Sequence, residues 1–217
     1  MERDVYRLIA PKQIEVKTED INLKNDEIIV SPSYLSICAA DERYYAGLRK
    51  PEVMKKKLPM ALIHEAVGEV FYDPKGEFKK GTKVVMIPNT PTEEDEVIKE
   101  NYLRSSYFKS SGYDGFLQSK VPINRSRVIK YTNIDDRVAS LLELTSVAVN
   151  AIETFNKHAH GRRDKVGVWG NGCVGYITSL VLKTMYPNID VFIFGTPTKS
   201  IKHPKFVRYA FSPNPQM

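Results

Sequence analysis

The segment Gly170-Asn171-Gly172-Cys173-Val174-Gly175 constrains this chain more than any other. It has the pattern G-x-G-x-x-G, follows the apolar run Lys165–Trp169 directly, and opens a helical stretch, Val174–Met185, that leads to a second apolar run, Val191–Phe194. Strand, glycine turn, helix and strand in that order make a β-α-β unit, and such a turn is built to hold a pyrophosphate. Gly170 permits the tight turn, Gly172 lets the main chain approach the phosphates, and Gly175 allows the helix to pack closely on the strand. The first N–H groups of the helix stand free for an anion. Cys173 and Val174 lie inside this cofactor-binding turn, Cys173 as a small packing residue.

A unit that prefers NAD ends its second strand with Asp or Glu, which accepts from the ribose hydroxyls. Here Gly195 is followed by Thr196, Thr198, Lys199 and Lys202. No acidic group stands there to repel a 2′-phosphate, and the hydroxyl of Thr196 and the ammonium of Lys199 can bind one, so the expected cofactor is NADP(H). A doubly wound sheet needs about six strands. Two are clear before Met217, so the sequence reads either as a fragment or as a sheet completed elsewhere.

Upstream the texture changes. Short β-type runs at Asp26–Val30, Ala66–Tyr72, Lys83–Ile87 and Gly115–Val121, punctuated by Gly and Pro, predict a β-rich, barrel-like region. From Asp135 to about His158 apolar residues recur at helical spacing, with Asn133 or Asp135 available as N-cap. The expected organisation is a β-rich catalytic domain over 1–134, a connecting helix over 135–160 and a partial nucleotide-binding domain over 161–217, in the α/β class. The 32 Lys and Arg outnumber the 26 Asp and Glu but are scattered, which favours a phosphorylated small molecule and excludes a nucleic-acid tract. No run approaches the roughly 18–20 apolar residues of a membrane span. The N-terminus lacks the apolar segment of a secretion signal, and two cysteines build no disulfide framework. The expected setting is cytoplasmic, without a membrane partner.

Three segments carry candidate metal ligands: Ser36–Tyr45 with Cys38, Leu62–Val70 with His64 and Glu65, and Leu142–Val147 with Glu143. A catalytic zinc takes about three protein ligands from Cys, His and carboxylate and keeps one position open. Cys38, His64 and Glu143 supply such a set, with Glu65 as a fourth or exchanging ligand. Singly, each has a plain structural reading as a packing residue or a surface charge.

Their order, C-x-x-D, then H-E-x-x-G-x-V, then E-x-x-S-V-x-x-x-A ahead of the glycine turn, resembles the polyol-dehydrogenase branch of the medium-chain dehydrogenase/reductase family. The resemblance spans Tyr6 to Gly195 and implies a GroES-like β-barrel followed by an incomplete Rossmann domain. It also implies one catalytic zinc on Cys38, His64 and Glu143, with Asp41 as the carboxylate that orients the site. Three departures stand out. No cysteine occurs over Ile87–Ser111, where relatives carry a structural zinc, so no structural metal is expected. Ala40 takes the place of a proton-passing hydroxyl, leaving water, Tyr44, Tyr45 or Glu65 for that task. Ile63 replaces the glycine usual before His-Glu, which narrows the pocket.

Within the family, Tyr34–Asp41, Leu58–Glu65, Met86–Pro91 and Glu100–Ser106 resemble the bacterial ribulose-5-phosphate reductases. That likeness implies NADPH-dependent reduction of D-ribulose 5-phosphate to D-ribitol 5-phosphate for teichoic-acid or capsule precursors, with a homodimer or a cytidylyltransferase as candidate partner. Arg43, Arg104 and Lys109 are the candidate phosphate contacts, and each reads equally well as a solvated cation. Two rival readings stay open: another NADP-dependent polyol or sugar-phosphate dehydrogenase with the same zinc, and an inactive remnant lacking the closing strands.

Overall fold

The computed structural model describes residues 1–161 and 164–195, and the backbone of 208–211. The chain forms two compact units, Met1–Glu143 and Leu144–Met217.

The first unit opens on an antiparallel hairpin, β1 (Glu2–Ala10) and β2 (Gln13–Asp20), which turns at Lys12 with a left-handed φ of 62°. The apolar alternation of Ile14 and Val16 in β2 is short, and the strand is exposed along nearly its whole length. Charge holds it instead. Arg7 forks onto both oxygens of Asp114 (Nε to Oδ1 3.0 Å, Nη2 to Oδ2 2.6 Å) and reaches Glu19 of β2 at 2.5 Å. Next come β3 (Glu27–Ser36), α1 (Ala39–Tyr45), α2 (Pro51–Lys57), β4 (Met60–Ala61), β5 (Glu65–Tyr72), β6 (Lys83–Met86), β7 (Asn89–Thr90), β8 (Tyr107–Phe108), β9 (Val121–Asn124) and β10 (Val128–Lys130). Five of these strands form one antiparallel sheet in the order β10-β6-β5-β3-β9, and β4 extends the hairpin on its β1 side.

Register shifts in the β3–β5 pairing between Ile29 and Val30 and between Pro32 and Tyr34 bend that sheet. It closes over a core of Leu8, Ile28, Val30, Met60, Val70, Val84, Met86 and Phe116. β5 is buried on both faces: Ala66 and Val70 point into this core, while Val67 joins Val85, Tyr131 and Ala139 in a second cluster capped by Leu142. The run Gly115–Val121, expected as a strand, is not one; the strand starts only at Val121. The N–H groups of Gly115, Phe116 and Leu117 instead donate to the carbonyls of Ala61, Ile63 and Leu62, at 2.8, 2.7 and 3.1 Å. A Cβ on Gly115 would come within 2.3 Å of the Ile63 carbonyl oxygen, so glycine alone permits this approach.

The apolar period from Asp135 to His158 folds as two helices, α3 (Asp136–Ala139) and α4 (Leu142–His158). Asp135 caps α3 by accepting from the Arg137 N–H. The break falls at Ser140, whose hydroxyl donates to the Arg137 carbonyl and lies 2.8 Å from the Ser36 hydroxyl at the end of β3.

In the second unit β11 (Lys165–Trp169), β12 (Asp190–Gly195) and β13 (Arg208–Phe211) are parallel and adjacent, with α5 (Cys173–Met185) as the crossover between the first two. Val166, Val168, Leu182, Ile189, Val191 and Ile152 form its core. Among the described residues, no helix is long and apolar enough to cross a membrane.

One buried ion pair locks the barrel's far turns. Asp73, its side chain 1% exposed, accepts from Arg125 Nη1 at 2.6 Å and from the N–H groups of Phe78 and Lys75. The Arg125 guanidinium holds this carboxyl well below the usual carboxylate range, aided by the two N–H groups. A depressed folded-state value means stabilisation that is full above the unfolded pKa of about 3.9 and is lost as pH falls through the folded one. Asp73→Asn should therefore lower unfolding stability by about 2–3 kcal/mol at pH 7, and the gap between variant and parent should narrow below about pH 4. Urea titrations at pH 7 and pH 3 measure both; an equal gap at the two pH values would contradict it.

Candidate metal and cofactor sites

Antiparallel pairing builds the first site. Ser36, the last residue of β3, lies opposite Glu65, the first of β5, so the chain leaving one strand runs beside the chain entering the other. Cys38 follows Ser36 by two residues and His64 precedes Glu65 by one, and the register alone makes them neighbours. The Cys38 sulfur, a His64 ring nitrogen and a Glu65 carboxylate oxygen all lie within 4.8 Å of one another. Cys38 also caps α1, accepting at its sulfur from the Ala40 N–H at 3.1 Å.

The setting is short of positive charge. Glu65 is 3% exposed, and among the described residues no hydrogen-bond donor reaches its carboxylate; His64 Nε2 stands 3.9 Å from its Oε1. Burial pushes this acid up to about 7, helped by the charges of Glu143 and Asp41. Burial likewise pushes the Cys38 thiol up to about 11, with the Asp41 charge adding to it against the pull of backbone hydrogen bonds. Glu143, in the first turn of α4, is not one of the three clustered donors, yet it is close enough to act on Glu65. Burial raises its pKa while His64 opposes the rise. Among the described residues no Lys or Arg pairs with Asp41 or Glu65. Thiol, imidazole and carboxylate are the mixed donors zinc takes. A buried carboxylate without a donor is costly unless a cation shares the site, so the donor set fits zinc.

Asp41 ties these residues together. It is 1% exposed, and its Oδ2 accepts from the Cys38 N–H at 3.2 Å and stands 4.0 Å from His64 Nδ1. Its Oδ1 accepts from the Ile63 N–H at 3.0 Å and from the Ser110 hydroxyl at 2.9 Å. Ile63 has a φ of +73°, an uncommon conformation for a β-branched residue, in the place where the resemblance expects glycine. It is pinned from both sides, by Asp41 on its N–H and by Phe116 on its carbonyl. The Phe108 ring packs on the His64 imidazole with centroids 5.4 Å apart. Sequence reasoning missed Ser110 and Phe108, since a serine and an aromatic in a polar loop carry no pattern.

The other candidates scatter. Arg43 and Arg104 are exposed. Lys109 is half-buried, and among the described residues its ammonium has no hydrogen bond or ion pair; burial pushes its pKa down. Of the relay candidates, Tyr44 is buried in the barrel core beneath the guanidinium of Arg49, and Tyr45 is 43% exposed. Arg49, which the sequence did not single out, has a buried Nε without a partner. A cavity of about 630 Å³ opens on the acidic loop Glu93–Asp95 and contains none of the clustered donors.

In the second unit the three glycines differ in kind. Gly170 has a φ of +122°, open to glycine, and its N–H donates to the Phe194 carbonyl at 2.8 Å. Gly172 is the N-cap of α5 with nothing within 4 Å of where a Cβ would stand, so a ligand can approach its main chain. A Cβ on Gly175 would lie 1.8 Å from the Gly170 carbonyl oxygen. Cys173 and Val174 are exposed at the first turn of the helix. Thr196 and Lys199, with Thr198 and Lys202, lie outside the described residues.

Residues 24–133 match the alcohol dehydrogenase GroES-like domain. The chain is 49% identical over 212 residues to ribulose-5-phosphate reductase 1 of Staphylococcus aureus, covering 97% of this chain and 62% of that protein. With the ribulose-5-phosphate reductase of Bacillus spizizenii identity is 50% over 215 residues, covering 99% and 63%. The crystal structure of S. aureus TarJ in complex with NADPH superposes with a TM-score of 0.79 at 40% identity, over 97% of this chain and 59% of that one. The chain thus spans about three-fifths of the length of these relatives. The match covers about half of the chain, which belongs to the alcohol dehydrogenase GroES-like domain family, within the medium-chain dehydrogenase/reductases.

Proposed function

We propose that this protein is a zinc- and NADPH-dependent reductase of D-ribulose 5-phosphate, forming D-ribitol 5-phosphate for teichoic-acid or capsule precursors in the cytoplasm. The observation that carries the chemistry is the meeting of a thiol, an imidazole and a donor-less buried carboxylate within 4.8 Å. The substrate choice rests on the named relatives at 48–50% identity.

In this reading Cys38, His64 and Glu65 hold one zinc, and Glu143 enters as the fourth or exchanging ligand. A zinc ion there supplies Lewis-acid polarisation of the substrate carbonyl oxygen, and NADPH supplies the hydride. The chain's own residues do the rest. Asp41 fixes the Cys38 and Ile63 backbones and so the spacing of the two soft donors. The barrel core excludes water behind Glu65. Gly172 leaves room for a pyrophosphate at the start of α5, where the helix N-terminus favours an anion, and Gly175 keeps that turn tight. Thr196 and Lys199 follow β12, where a 2′-phosphate would be read. Lys109 is the best-supported phosphate contact, because an unpaired half-buried ammonium gains most from an anion. Its neighbours Phe108 and Ser110 both touch the cluster. The polyol phosphate product suits a cytidylyltransferase as consumer, and a homodimer is the expected assembly.

Four outcomes are expected. Metal analysis of protein purified in zinc should give about one zinc per chain, falling to a small fraction of that in Cys38→Ser; full zinc in the variant would remove Cys38 from the ligand set. Gly175→Ala should weaken NADPH binding at least about tenfold by fluorescence titration, because its methyl displaces the Gly170 carbonyl. With NADPH oxidation followed by absorbance, kcat/KM for ribulose 5-phosphate should exceed that for ribulose by about a hundredfold or more. Lys109→Met should cut that preference by about tenfold, and equal turnover of the two sugars would point to a different polyol substrate.

A further inference from the structure

We infer that Ser110 is a positioning residue for the metal ligands, acting through Asp41; this rests on the reading of Cys38, His64 and Glu65 as the metal-holding set. The Asp41 carboxylate accepts from two backbone N–H groups, one on the ligand Cys38 and one on Ile63, the residue before the ligand His64. Its orientation therefore sets how far apart those two ligands are held. Two backbone bonds from separate segments do not fix the carboxylate by themselves, since both segments can move with it. The third bond comes from elsewhere in the chain: the Ser110 hydroxyl, 69 positions from Asp41, donates to Oδ1 at 2.9 Å. Both side chains are buried, Asp41 at 1% exposure and Ser110 at 5%.

The backbone shows that the hydroxyl is what matters here. Ser110 has a φ of +61°, a conformation in which glycine is unstrained and serine is not. Two positions on, at φ +90°, the chain uses glycine, Gly112, although it also accepts a left-handed non-glycine residue at the turn of Lys12. A serine held there carries strain that the side chain's bond to Asp41 offsets. The loop is anchored around it: the Ser110 N–H donates to the Tyr113 carbonyl, Ser111 accepts from Lys57 Nζ at 2.5 Å, and the Phe108 ring packs on His64. The hydroxyl is thus presented by a fixed segment that reaches the cluster at two points, the Asp41 carboxylate and the His64 ring.

The test compares Ser110→Ala with Ser110→Gly. Both delete the hydroxyl, but glycine also relieves the left-handed backbone, so the two variants separate hydrogen bond from turn. Zinc affinity is measured by chelator competition, the ligand geometry by the visible spectrum of the cobalt(II)-substituted protein, and folding by thermal melts of the metal-free forms. Both variants should bind zinc about tenfold more weakly than the parent and shift the cobalt bands, while Ser110→Gly melts no lower than Ser110→Ala. In an Asp41→Asn background the Ser110→Ala effect on zinc affinity should largely vanish, because the hydroxyl acts through that carboxylate. Parent-like zinc affinity and cobalt spectrum in Ser110→Gly would overturn the role of Ser110 alone, as would full additivity with Asp41→Asn. A parent protein that takes up no zinc would overturn the ligand assignment, and this inference with it.

Discussion

The backbone contact between residues 115–117 and 61–63 is the constraint on which the first site depends. Three N–H groups donate to three carbonyls across a gap too narrow for a Cβ at Gly115. That contact draws the Ile63 carbonyl toward Phe116 and leaves its N–H facing Asp41. Satisfying both groups at once puts Ile63 at φ +73°. The chain then enters β5 with His64 beside Cys38 and with the Glu65 side chain buried. A β-branched residue in that conformation costs on the order of 1–2 kcal/mol. Burial of the Ile63 side chain in the barrel core, at 5% exposure, is of comparable or larger value. Burial thus offsets the backbone strain at Ile63, which stands where the family resemblance expects glycine.

What the sequence reveals depends on how local the cause is. The glycine turn was legible because each of its glycines answers a need within six residues: a positive φ at Gly170, open space at Gly172 and contact with the Gly170 carbonyl at Gly175. Strands β5 and β6 were legible from apolar runs bounded by turn residues. The β1–β2 hairpin was not, because its second strand faces solvent and is held by the Arg7–Glu19–Asp114 charges, whose partners lie far apart in sequence. Gly115–Val121 has strand composition, yet its first residues bond to a bend and not to a strand, so composition misled. The helical period after Asp135 was real, but the break at Ser140 depends on a hydroxyl on β3 that no periodicity encodes.

The candidate metal site shows the same division. Cys38, His64 and Glu143, with Glu65 as a fourth or exchanging ligand, could be named from residue type and motif order; the β3–β5 register supplies the reason Cys38, His64 and Glu65 meet, while Glu143 stands outside that cluster. Ser110, Phe108 and Arg49 could not, since each acts through a contact across the barrel: a hydroxyl on Asp41, a ring on His64, a guanidinium over Tyr44. The substrate-side cations divide likewise. Arg43 and Arg104 were as plausible as Lys109 by sequence neighbourhood, and only burial separates them: two solvated guanidinium groups lose little without an anion, while an unpaired ammonium drawn into the protein is disfavoured without one.

Electrostatics gives the site its direction. Asp41, Glu65 and Glu143 are three carboxyls gathered around one thiol and one imidazole, in surroundings that desolvate Glu65, Glu143 and the thiol. Burial shifts Glu65 and Cys38 toward their neutral forms, and the charges of neighbouring carboxyls add to it. Asp41 differs in its hydrogen bonding: three donors reach its carboxylate. The carboxylate that organises the site is the one supplied with hydrogen bonds, and in the proposed reading the one that lacks them would meet the metal. A site built the other way round, with donors on Glu65 and none on Asp41, would hold its ligands loosely and its charge too well to bind a cation.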